Sequence, residues 1–376
     1  MNQSGKTTLT PPVVQPGGRV DAADRARLIG RVRFHPARRG RPVVLQRRVG
    51  RQAWERVSVR KQNRWGVVRF IQPARDPEGR WYAYRGVARP WKDLRRVAAK
   101  PQSARIWTTR FSDEFTGDQL DLTKWSYRYA FAYHAASDRA CSTSHPDAVD
   151  VSHGRLSLSA QVDIERGEML GPCQGINDLG VPYENATNWY KNGHIGTGDV
   201  PNEAGRFRYG FTAARVKFDE NAGAHGAFWL QTTQRYVEGQ GPAENGAEID
   251  VAEYFGKKFF YGDVHTFVHY RDESGVHQKA PGGFPATRLA LNARKALKGD
   301  DDDWFKRYHV FSVEWTPHAY IFRVDGVVTG KVTQGVSQVP EHLVLSMLTS
   351  GWELPRLDES TLPNAMQVDW VRIWQK

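Results

Sequence analysis

The sequence predicts an all-β protein built in two parts. Three observations carry that expectation. Residues 25–100 break into short alternating apolar and polar segments, separated by turn residues about every ten positions, as in a small β-sandwich. From residue 109 onward, glycine and aromatic residues dominate and helical periodicity is scarce. The charge also changes sign: residues 1–100 carry 25 Lys and Arg against 6 Asp and Glu, whereas the rest carries 28 against 35. The net charge of +12 and the basic isoelectric point therefore belong to the front of the chain.

The elements follow in order. Residues 1–24 contain Thr, Pro and Gly and read as a disordered leader or linker. In residues 25–100 the expected strands are Leu28 to Phe34, Pro42 to Gln46, Trp54 to Val59, Trp65 to Ile71 and Trp81 to Val87. Turns at Arg39-Gly40 and Pro77-Glu78-Gly79 separate them. Residues 101–108 form a linker, and residues 109–376 a second domain expected to carry the chemistry. Within it, Asn292 to Lys298 reads as one or two helical turns, and Asp300 to Asp303 as a solvated loop or weak cation site. The first domain is similar to the immunoglobulin-like or fibronectin-like modules of secreted bacterial enzymes. Its arginines are either the polar alternates of a solvated β-face or a surface for an anionic cell-wall glycan.

Composition narrows the function. No apolar run approaches 18 residues, so no membrane span is expected, and the first residues lack the apolar segment of a signal peptide. No Cys/His spacing suits zinc, and the basic front matches no nucleic-acid module. Cys141 and Cys173 either form one disulfide in an oxidising compartment or remain two thiols. A secreted, monomeric protein in mature or trimmed form is the expectation.

The chemistry concentrates in Glu248-Ile249-Asp250-Val251-Ala252-Glu253. In a pleated strand Glu248 and Asp250 share a face, and strict alternation sends Glu253 to the other. A β-bulge in Val251-Ala252 would return Glu253 to the acidic face. Alternating acids are compatible with a solvated face or with calcium ligation. They also suit glycosidic cleavage, in which retaining enzymes hold two carboxyls about 5–5.5 Å apart. At that spacing two charges repel by roughly 3 kcal/mol, about two pKa units, so one carboxyl keeps its proton while the other is ionised.

Several separated motifs support that last reading. They are Phe111 to Phe115, Leu120 to Trp125, Tyr209 to Phe218, Gly226 to Leu230, Glu248 to Glu253, His309 to Pro317, Phe322 to Gly326 and Met366 to Trp374. In this order the chain from about Thr109 to Lys376 resembles glycoside hydrolase family 16, the laminarinase-like β-glucanases. The resemblance implies a concanavalin-like β-jelly roll of two curved antiparallel sheets, and retaining endo-hydrolysis of a β-1,3-glucan or mixed-linkage β-glucan without a catalytic cofactor. A β-galactan or other β-linked glycan, transglycosylation, and a non-catalytic glucan-binding protein are the alternatives. Binding proteins of that kind typically lose one paired glutamate, and all three acids are kept here.

By the same resemblance Glu248 is the nucleophile, Asp250 its helper and Glu253 the general acid/base. Trp229, His269 and Trp352 are expected to line the sugar cleft, with a core role as the alternative for each Trp. Asn192, His194 and His225 complete the candidate sugar contacts. His194 replaces a common Arg, His225 lies in an altered stretch, and either histidine is a sugar contact or a structural residue. A structural calcium is implied on Glu114, the backbone of Gly154, and Asp369.

Overall fold

The computed structural model describes residues 3–129, 137–176, 180–200, 205–281, 293–299 and 301–376. Contacts divide the chain into two units. One comprises Met1–Gln15, Ala22–Thr109 and Trp374–Lys376; the other comprises Pro16–Asp21 and Arg110–Ile373. Asn292 and Asp300 lie outside the described residues. Of the expected helical segment, Ala293–Ala296 forms a single 3-10 turn. Among the described residues no helix is long and apolar enough to cross a membrane.

The first unit has two antiparallel sheets. Ser4–Val14, Arg27–His35 and Val67–Pro73 form one. The other contains Glu55–Lys61, Pro42–Val49, Tyr82–Ala88 and the short Val97–Ala98, with Gln102–Ser103 also paired to Tyr82–Ala88. Alternation decides what is buried: Val32 and Phe34 point inward while Arg31, Arg33 and His35 face solvent. Leu28, Val32, Phe34 and Phe70 from one sheet meet Val43, Leu45, Tyr84 and Ala88 from the other.

Two expected boundaries are corrected. Residues 4–14 of the supposed leader form a strand along Arg27–His35, with Thr7 and Leu9 buried and Lys6 and Thr8 exposed. The apolar positions are few, and register shifts flank Pro12, where a proline cannot donate to the ladder. Gly17 exchanges backbone hydrogen bonds with Tyr308 and so joins the second unit. The supposed linker at 101–108 also packs. Ala104 and Trp107 are buried, and the Trp107 indole N–H donates to the Leu9 carbonyl at 2.8 Å.

The second unit is a jelly roll. One sheet runs Ser126–Tyr127, Tyr190–Gly196, Glu341–Leu348, His225–Thr232, Glu248–Tyr254, His265–Arg271 and His277–Ala280, each antiparallel to the next. The other runs Val149–Ser152, Arg155–Val162, Asn364–Gln375, Gly210–Lys217, His309–Thr316, Ala319–Val324 and Val327–Val332. Phe228, Leu230, Ile249, Leu343 and Leu345 from the first sheet form a core with Leu158, Phe311, Val313, Val368 and Val371 from the second. Burying such side chains contributes about 1.5–3 kcal/mol each. The opposite face of the first sheet is thus left to carry polar residues. Cys141 and Cys173 form a disulfide, so the thiol alternative is set aside.

Candidate active site

The site begins with a one-residue mismatch on both sides of Glu248–Tyr254. Across one edge, Ala227 faces Glu253 and Trp229 faces Asp250, so three steps on the acidic strand oppose two on its neighbour. Across the other edge, His265 faces Glu253 and Phe267 faces Asp250, with the same mismatch. This is a β-bulge. Val251 and Ala252 are both taken into the core, and Glu253 shares a face with Glu248 and Asp250. Residues directly opposite in a ladder share a face. That face therefore also carries Trp229, Gln231, His265, Phe267, His269 and, one strand further, Lys279.

Each acid has defined neighbours. Gln231 Nε2 donates to Glu248 Oε2 at 3.3 Å, and Arg128 holds Gln231 by donating to its Oε1 at 2.7 Å. His269 Nε2 lies 3.5 Å from Asp250 Oδ2, and its Nδ1 lies 3.0 Å from His277 Nε2. Donor atoms of Glu248, Asp250 and His269 all lie within 4.8 Å of one another, close enough to grip a divalent cation. His225 Nδ1 lies 2.6 Å from Glu353 Oε1. Trp229 donates its indole N–H to Ser346 Oγ at 3.1 Å, which fixes the ring.

Burial governs the electrostatics. It pushes the Glu248 carboxyl up to about 7, with the charge of Glu253 adding to the effect. Burial also raises Asp250 well above its ordinary range, helped by Glu253 and Glu248. Glu253 is raised by burial too, while His225 and Lys279 oppose the rise. Three carboxyls raised together on one face disfavour full ionisation, and their protons are a property of the trio. Three of the imidazoles favour the neutral form. Burial lowers His269 to about 4 and His342 to about 3, and takes His194 well below its ordinary value. Protonated and ionised carboxyls side by side are the equipment of acid/base and nucleophilic chemistry.

The sequence-predicted contacts fall as follows. His194 stacks on Trp229 with centroids 6.2 Å apart, and its Nδ1 lies 3.2 Å from Ser144 Oγ. His225 stacks with Trp352 at 6.5 Å, and Trp352 is 40% exposed, so its ring is open to a ligand. Asn192 lines the same cavity as Glu248, but its amide is hydrogen-bonded to Thr349. Sequence reasoning missed Arg128, Arg139, Gln231, Lys279 and Glu353. None has a local motif; each reaches the cleft through pairing or loop packing between distant segments.

The expected calcium ligands do not fit a metal. The Arg215 guanidinium, fully buried, donates to Asp369 and, at 3.0 Å, to the Arg19 carbonyl. Arg372 donates twice to Glu114, at 2.7 and 2.8 Å. Both carboxylates are already neutralised by a cation that a calcium ion would have to displace. Gly154 occupies a turn with φ +71°.

Residues 197–372 match the family model described as Glycosyl hydrolases family 16. Glucan endo-1,3-beta-glucosidase A1 of Niallia circulans is 26% identical over 72% of this chain, which spans only 38% of that relative's length. A beta-glucanase of Rhodothermus marinus is 25% identical over 73% of this chain and 88% of its own. Among solved structures, the LamAcat domain of Zobellia galactanivorans is 21% identical, with 71% of this chain and 98% of that one covered and a TM-score of 0.48.

Proposed function

We propose that this chain, which carries a glycosyl hydrolases family 16 domain, is a retaining endo-β-glucanase. It hydrolyses internal linkages of a β-1,3-glucan or a mixed-linkage β-glucan. One observation carries the reading: a bulge seen from both neighbouring strands returns Glu253 to the face that holds Glu248 and Asp250.

Glu248, as carboxylate, attacks the anomeric carbon while Glu253, as acid, protonates the departing glycosidic oxygen. The C–O bond to the leaving sugar breaks and a glycosyl ester on Glu248 forms. Glu253, now ionised, takes a proton from water, which attacks the same carbon, frees Glu248 and restores the original configuration. Asp250, beside neutral His269, steadies Glu248. Trp229, anchored through its N–H, offers its ring face to a pyranose, and Trp352 offers a second.

A reducing-sugar assay against β-glucans and β-galactans, with product anomers followed by NMR, tests the substrate and the stereochemistry. Glu248→Ala and Glu253→Ala should each lower kcat at least about a hundredfold. Added azide should then give a glycosyl azide of inverted configuration from Glu248→Ala and of retained configuration from Glu253→Ala. Undiminished cleavage by either variant overturns the assignment.

The first unit is an immunoglobulin-like module that adheres to an anionic cell-wall glycan. This is supported by its two-sheet arrangement and by Trp54, held between Arg48 at 4.5 Å and Arg85 at 4.2 Å. Salt-dependent retention of the full chain on an anionic polysaccharide column, lost on replacing those arginines, is the expected result. Secretion is supported by the Cys141–Cys173 disulfide. A monomer is expected on size exclusion.

A further inference from the structure

Beside Glu248 lies a cavity of about 240 Å³ whose walls include Arg128, Arg139, His194, Trp229 and Gln231. Arg128 is committed, with Nη2 donating to Gln231 and Nη1 lying 2.8 Å from His342 Nε2. Arg139 is not. Arg215, Arg323 and Arg372 each close on a carboxylate. Among the described residues, no carboxylate comes within ion-pair distance of the half-buried Arg139.

The backbone that carries this guanidinium is anchored. Two residues on, Cys141 is tied to Cys173, and its carbonyl accepts from Tyr190 N at 2.9 Å. Ser142 Oγ donates to the Thr349 carbonyl at 3.1 Å, and the Asp138 carbonyl accepts from Gly351 N at 2.5 Å. A partly desolvated guanidinium whose donors no described carboxylate takes suits an anion. Among the described residues of the wall, two guanidiniums, Arg128 and Arg139, stand against one acid, Glu248, so the wall is net positive even with Glu248 ionised.

We propose that this cavity binds a sugar ring carrying an anionic substituent, a uronate carboxylate or a sulfate ester, with its charge on Arg139. The ring is the one that Glu248 attacks or its neighbour away from the leaving group. The substrate is then an acidic or sulfated β-glycan, or a glucan bearing such residues. The inference rests on the β-glycan reading of the cleft and narrows it. The competing role for Arg139 is to act through space on Glu248 alone.

The test is calorimetric binding to full-length Glu253→Gln, which cannot turn over and leaves the cavity wall intact. Three probes are compared: a neutral β-1,3-linked glucohexaose, its C6-carboxylate counterpart and its sulfated counterpart. At low salt at least one anionic probe should bind roughly tenfold more tightly than the neutral one, as expected for a charge-assisted pair. Added salt should shrink the preference. It should vanish in Glu253→Gln/Arg139→Gln and partly survive in Glu253→Gln/Arg139→Lys. The better anionic probe identifies carboxylate or sulfate as the partner. Equal affinity for all three, or a preference that survives Arg139→Gln, overturns this inference and leaves the glucanase reading standing. Failure of every probe to bind overturns both.

Discussion

Glu353 grips His225 beneath the cleft, with Oε1 2.6 Å from Nδ1 and its second oxygen accepting from Ser350 Oγ at 2.6 Å. Glu353 is 1% exposed, so an uncompensated charge there would be costly. His225 is the first of the groups that oppose the rise of Glu253, while Glu353 adds to that rise.

His225→Gln should therefore act on Glu253 in one direction. The opposing group is gone and Glu353 is left without its imidazole. The basic limb of the pH profile of kcat/KM, which reports the proton on Glu253, should move up. Melting temperature should fall as well, because a buried carboxyl would lose its imidazole partner, a loss of about 1–3 kcal/mol. An unmoved basic limb sinks the coupling.

Lys279 reaches all three acids. Its cation opposes the upward shifts of Glu248, Asp250 and Glu253, and its Nζ sits 3.5 Å above the Phe267 ring. Lys279→Met should raise the acid limb, which reports ionisation of Glu248. Activity should drop about tenfold near pH 5 and much less near pH 8. A pH-independent loss would mean that Lys279 serves substrate contact instead.

Glu341 predicts a stability effect. It is fully buried, accepts from the Ala247 N–H at 3.2 Å, and burial pushes its carboxyl up to about 8. A carboxyl raised above its unfolded value stabilises fully below about pH 4.5, and that contribution is lost as pH climbs towards 8. Glu341→Gln should melt close to the parent at pH 5 and several degrees above it at pH 8.5, as read by calorimetry. Parallel curves at the two pH values would refute the assignment.

Arg215 predicts metal independence. With its guanidinium already on Asp369, EDTA should leave the melting temperature unchanged and added calcium should not raise it. Arg215→Met should lower it markedly, since Asp369 would then be buried and unpaired. A clear loss of stability in EDTA would restore the calcium reading.

The three clustered acids were legible because their signal is local. Glu248, Asp250 and Glu253 lie on one strand, and side-chain alternation alone shows that a single extra residue in Val251-Ala252 brings the third acid round. The charge asymmetry and the recurring short strands of the first unit were legible for the same reason. The strand at Ser4–Val14 was not, because its threonines and prolines acquire meaning only against Arg27–His35.

By itself the sequence determined the β character of the chain, the acidic strand and the break in its alternation, since period and spacing are properties of neighbouring residues. The tertiary structure alone decided which cations stand around those acids. Lys279, Arg139 and the His225–Glu353 pair converge from separate segments. Arg215 and Asp369, 154 positions apart, neutralise each other where a metal was expected. Coulomb energy and burial depend on distance through space, and only strand pairing in the folded sheets sets that distance.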